Sequence, residues 1–121
     1  MQQSTVSRSE LAGLLRQDVD ELNALLAQSD PDADDALHSF ESARKWGENV
    51  MQGLSASLSA CICDEWSYCK RRKSQKFGDD VSLAIEIANL IFKVVGAYPV
   101  AVIASILVKK GLDAFCGCDR D

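Results

Sequence analysis

Proline is almost missing from this chain: there are two in 121 residues, Pro31 and Pro99, with only seven glycines beside them. So few forced breaks favour long helices over a many-turned β fold. Histidine occurs once, at His38, so a Cys–His nucleophile pair would have to use that residue, and no His-Glu metal motif exists. A glycine-rich phosphate loop and a carboxylate pair at catalytic spacing are also missing, and no enzyme is expected. The opening residues MQQSTVSRSELAG lack a basic patch followed by an apolar core, so no signal peptide is expected. The expected compartment is the cytoplasm, where thiols stay reduced, with membrane association as the alternative. The longest run free of charge, Val94 to Val108, is fifteen residues and contains a Gly and a Pro. A simple spanning helix needs about 20 apolar residues, so this run is too short.

What is present is apolar and helical in period. Hydrophobic residues make up 47% of the chain and charged residues 26%, which excludes a disordered polymer. Residues 1–60 carry four Lys/Arg against ten Asp/Glu, which makes nucleic acid an improbable partner. The densest stretch is Val81 to Phe115, cut in half by Gly96-Ala97-Tyr98-Pro99. Its first half keeps one polar line, Ser82, Glu86, Asn89 and Lys93, which is the solvent stripe of a core helix, a pore lining or a polar seam between subunits. Its second half is apolar almost throughout. The pair reads as a helical hairpin that must be buried in something: the rest of the chain, a second copy or a bilayer.

The remaining elements follow in order. Ser9 is placed to cap a helix over 9–28, in which Ala12, Leu15, Val19, Leu22 and Leu26 form a short heptad seam. Asp30 and Pro31 start a second, long helix over 31–62, with Leu37, Phe40, Ala43, Gly47, Val50, Met51, Leu54, Leu58 and Ile62 at helical spacing. Gly47, Gly53 and the small-residue run Ser55–Ala60 mark places where another backbone would approach closely. Residues 63–79 form a cysteine-rich, basic connector, an extension of the second helix or a short fifth one, and Gly78 with Asp79 or Asp80 restarts the chain. The hairpin occupies 80–115, as helices over 80–95 and 99–115. The expected fold is all-α, one domain over 1–121, a four- or five-helix bundle with a strongly apolar C-terminal hairpin.

Three groups of residues carry possible chemistry. Cys61, Cys63 and Cys69 end the second helix and Cys116 and Cys118 end the fourth. In an antiparallel bundle these ends coincide, so the thiols would meet. Inert thiols are the first reading and no cofactor is expected; converging thiolates would also suit Zn²⁺, or pair as disulfides, although C-x-C is not the usual zinc spacing. Lys70, Arg71, Arg72, Lys73 and Lys76, with Trp66, Tyr68 and Phe77 nearby, would contact an anionic surface or simply complement a helix C-terminus. Lys109 and Lys110 have the same helix-end role or anchor the hairpin at an interface.

Ile91, Val95, Val102, Ile103, Ile106 and Leu107 form the apolar face of the hairpin, the expected site of protein or membrane contact. The expected function is a small helical interaction or oligomerisation protein, with itself as the first partner. The alternatives are a membrane-active protein that releases residues 81–115 into lipid and a metal-binding or redox-sensing module. Packing of residues 99–108 on Leu15, Val19, Leu22 and Leu54 would favour the first.

Overall fold

The computed structural model describes residues 7–30, 33, 38–74, 78–96 and 98–118. They are helical and, among the described residues, contain no strand, so the fold is all-α. The first expected helix is two: α1 (Arg8–Leu15) and α2 (Val19–Gln28). The break is made by Asp18, whose carboxylate accepts from Glu21 N at 2.9 Å while Glu21 Oε1 accepts from Asp18 N at 3.0 Å. This reciprocal capping box starts a helix where a continuous heptad would run on. Ser7 rather than Ser9 caps α1, and Lys109 Nζ closes its other end by donating to Leu15 O at 2.8 Å.

The long helix α3 (Phe40–Ser59) starts later than expected, capped by Ser39, whose Oγ accepts from Ser42 N at 3.1 Å. The expected start at Pro31, and Leu37, lie outside the described residues. Asp30 has its own partners: its carboxylate accepts from Trp46 Nε1 at 2.9 Å and from Tyr98 Oη at 3.4 Å. After α3 the chain widens into a π-helical turn, Ala60–Glu65, marked by Trp66 N donating to Cys61 O at 3.1 Å. Ser67, with φ of 58°, then redirects it into α4 (Tyr68–Ser74). A left-handed non-glycine residue costs about 1 kcal/mol or more, so its neighbours must hold it.

The hairpin is α5 (Asp80–Ile91) and α6 (Val100–Lys110), followed by α7 (Leu112–Cys116). Gly111, with φ of 101°, separates the last two, so the expected helix over 99–115 is broken there. Asp79 caps α5 by accepting from Ser82 N at 2.9 Å, and this bond first, then Ser82's side chain and Arg8, holds its carboxyl below the usual range. α5 buries Ala84, Ile87, Ala88 and Ile91, an i, i+3, i+4, i+7 stripe. α6 buries every residue from Ala101 to Leu107 and is the axis of the molecule.

Four helices cover α6. α5 and α2 pack along it, α1 crosses both hairpin helices, and α7 closes its end. Leu22, Leu26, Leu58, Ile62, Ile87 and Ile91 share one cluster with Ile103, Ile106 and Leu107, with Val19 and Leu54 packed against it. Leu11 makes a second, smaller cluster with Ala84 and Ala101, joined by Leu15. α2 and α3 meet through small residues, Ala24, Ala27 and Ala43. The closest approach is Gly47, where a Cβ would run into the backbone of Asn23. Gly53 faces open space, and Ala56 and Ser57 are exposed, so only Gly47 of those small residues marks a close crossing of the kind expected.

The two glycines should therefore respond oppositely to alanine. Gly47→Ala is expected to lose about 3 kcal/mol by forcing α2 and α3 apart. Gly53→Ala should gain about 0.5–1 kcal/mol from helix propensity alone. Urea unfolding followed by circular dichroism checks both, and equal effects would refute this crossing.

Candidate functional site

The cysteines do meet, and their chemistry is disulfide. Cys63 bonds to Cys116 and Cys69 to Cys118, each pair with Cα atoms 5.4 Å apart, within the usual disulfide range. The Zn²⁺ reading of Cys61, Cys63, Cys69, Cys116 and Cys118 is thereby corrected: four of the five thiolates are used in pairs, and no metal-holding group of His, Cys, Asp or Glu exists among the described residues. Cys61, buried and free, donates its S–H to Leu90 O at 3.6 Å. Burial first, then Glu65, pushes this thiol up, against a smaller opposing effect of Lys93, so it is a core residue and a poor nucleophile.

Helical spacing accounts for the separate fates of Cys61 and Cys63. Two residues apart they point to nearly opposite sides, one into the core and one toward α7. Polar contacts reinforce the bridges. Tyr68 Oη donates to Asp113 Oδ1 at 2.9 Å, and Arg72 Nε lies 3.6 Å from the same oxygen. Desolvation, and then the Asp113 bond and charge, push the Tyr68 hydroxyl up to about 12. Residues 60–74 are thus tied to residues 112–118 by two covalent and two polar links.

The basic cluster is partly used in the same way. The Arg71 guanidinium lies 5.2 Å from the Trp66 ring centroid, and its Nε donates to Trp66 O at 2.7 Å. Trp66 in turn stacks near Tyr68, with centroids 6.4 Å apart. With Arg72 on Asp113 and Arg71 on Trp66, two of the five cations serve the fold, while Lys70 is exposed. The Lys73 side chain and Lys76 lie outside the described residues.

The six hairpin residues expected to meet a partner are inside the protein. Ile91, Val95, Val102, Ile103, Ile106 and Leu107 belong to the main core, and none is more than 8% exposed. No described helix is long and apolar enough to cross a membrane. Both bridges also close loops that contain α5 and α6, so delivering 81–115 to a bilayer would require taking the core apart. The polar line reads as the solvent stripe: Glu86, Asn89 and Lys93 are exposed and Ser82 is half-buried. His38 is exposed as well. Among the described residues the large apolar side chains left exposed are Phe92, 47% exposed just after α5, and Phe40, 53% exposed at the start of α3.

Two clefts flank α3, and no local sequence signal marks either. One, of about 450 Å³, is lined by Trp46, Val50, Leu54, Tyr98 and Asp30, the carboxylate held by the indole and the phenol. The other, of about 390 Å³, lies between α2, α3, α6 and α7. Comparison of the chain with protein-family models, curated proteins and solved structures returned no match.

Thiol counting tests the pairing directly. The native protein should show no thiol reactive toward a disulfide reagent, the unfolded but unreduced protein one, Cys61, and the reduced protein five. Replacing Cys63 and Cys116 together by serine is expected to cost about 4 kcal/mol if the second bridge is also absent. With Cys69–Cys118 in place the loss should be smaller, because the loop is already closed.

Tyr68 gives a second, pH-dependent test. Its hydroxyl binds its proton more tightly folded than unfolded, so its contribution is whole below pH of about 10 and is lost as pH rises toward about 12. Tyr68→Phe should flatten that part of the stability profile, read from urea midpoints; an unchanged slope would rule out the Asp113 bond.

Proposed function

We propose that this protein is a small, non-enzymatic helical interaction module that works in an oxidising compartment and pairs first with a second copy of itself. The supporting observation is how the apolar surface is divided. The hairpin serves as the core of its own chain, packing on Leu22, Val19 and Leu54, and leaves Phe92 uncovered at its tip. A large aromatic standing half out of the surface beside exposed Lys93, and flanked by half-buried Leu90 and Val94, has the make-up of an interface anchor.

This narrows the contact from the whole hairpin face to its tip. The two bridges favour an oxidising compartment over the cytoplasm expected from composition, because reducing surroundings would open them. The polar and charged groups at the cysteine end support the same non-enzymatic reading. Tyr68, Asp113 and Arg72 are committed to one another rather than presented to a substrate.

The test is the native mass by light scattering over a wide concentration range. Wild type should show concentration-dependent dimer, and Phe92→Asp should shift it to monomer with unchanged circular dichroism. Phe40→Asp, the other exposed aromatic, serves as the control and should leave the mass unchanged. A wild-type protein that stays monomeric throughout would overturn self-pairing.

A further inference from the structure

The outer face of α5 is complementary to itself. Glu86, Asn89 and Lys93 stand exposed along it at helical spacing. Val95 N still donates to Ile91 O at 3.2 Å, so the helical turn holds through Lys93, just past the end of α5. Glu86 and Lys93 are two turns apart, about 10.5 Å along the axis, beyond the i, i+3 and i, i+4 pairs that meet on one helix. Neither makes an ion pair among the described residues. The stripe therefore carries an acid toward one end and a base toward the other.

Apolar residues flank the stripe on both sides. At about 100° per residue, half-buried Leu83 and Leu90 fall on one edge, and half-buried Ile85 and exposed Phe92 on the other. A second copy of α5 laid end over end on this face satisfies all of these groups at once. Asn89 comes next to the two-fold axis, and Glu86 lies level with the partner's Lys93, twice over. A two-fold axis sets like edges together, so Leu90 meets the partner's Leu90 and Phe92 falls beside the partner's Ile85. A parallel pairing would instead oppose acid to acid and base to base.

We propose that this face of α5 receives the second copy, antiparallel about a two-fold axis at Asn89, with two Glu86–Lys93 ion pairs crossing it. The inference rests on the self-pairing put forward above and adds the face, the direction and the charges that select the partner.

Charge reversal tests the arrangement without touching Phe92. Glu86→Lys and Lys93→Glu are exposed changes, and each turns both attractions into repulsions. Each should weaken self-association about tenfold in sedimentation equilibrium, with circular dichroism unchanged. The double variant, Glu86→Lys with Lys93→Glu, should recover wild-type association. The two single variants mixed in equal amounts should pair with each other more tightly than either pairs with itself. A dimer that Phe92→Asp disrupts but that ignores both reversals would overturn this arrangement and leave self-pairing standing. A double variant as weak as the single ones, or a mixture with no gain, would do the same. A wild-type protein that is monomeric throughout would overturn both.

Discussion

Everything in this molecule depends on the all-round burial of α6. From Ala101 to Leu107 no residue is more than 8% exposed, so the helix has no face of its own to present to water. Each of Ile103, Ile106 and Leu107 contributes roughly 1.5–3 kcal/mol only while it stays covered. One helix cannot cover another on every side, so the cover is assembled from α5, α2, α1 and α7. Ser105 shows how dominant this burial is. Its hydroxyl lies fully buried with no hydrogen-bond partner, at a cost of about 1–3 kcal/mol that the neighbouring apolar residues outweigh.

The covering pieces are short, and this explains where the polar and covalent links occur. α7 has five residues and one fully buried side chain, Leu112, far below the length at which a helix holds itself. It also carries the Cys63–Cys116 bridge, is followed two residues on by the Cys69–Cys118 bridge, and has both Tyr68 and Arg72 on its Asp113. α1 has eight residues and one fully buried side chain, Leu11, and it is held at one end by Arg8 on Asp79 and Ser82 and at the other by Lys109 on Leu15 O. The larger elements, α3 and α5, carry no such covalent help. Specific links are concentrated where burial alone is weakest.

This division also decides what the sequence reveals. The apolar density of 81–115 and the helical periods expose the fold class, and antiparallel reasoning brings the two cysteine groups to one end. Which of those thiols pair depends on how α4 and α7 lie against each other, a contact between segments whose cysteines stand 49 and 53 apart in sequence and that leaves no local signature. The break at Asp18 was readable, since Asp-x-x-Glu is a capping pattern, but the leucine spacing runs smoothly across it and masks it. Asp30 between Trp46 and Tyr98, and Asn23 against Gly47, are contacts across long sequence separations that involve ordinary residues. An asparagine in a helix reads as surface; only the crossing of α2 on α3 leaves it buried, with its Oδ1 unpartnered.

The staple and the cleft between α2, α3, α6 and α7 share a wall. Phe115 lines that cleft and is followed at once by Cys116, bonded to Cys63. A five-residue helix cannot hold an aromatic in place against solvent by its own hydrogen bonds, so the position of Phe115 depends on the bridge beside it. Opening the bridge frees the end of α7 while leaving α6 under its other covers, α5, α2 and α1. The core itself rests on apolar contact, whereas the end of α7, too short to hold itself, relies on the covalent bond of Cys116 to Cys63.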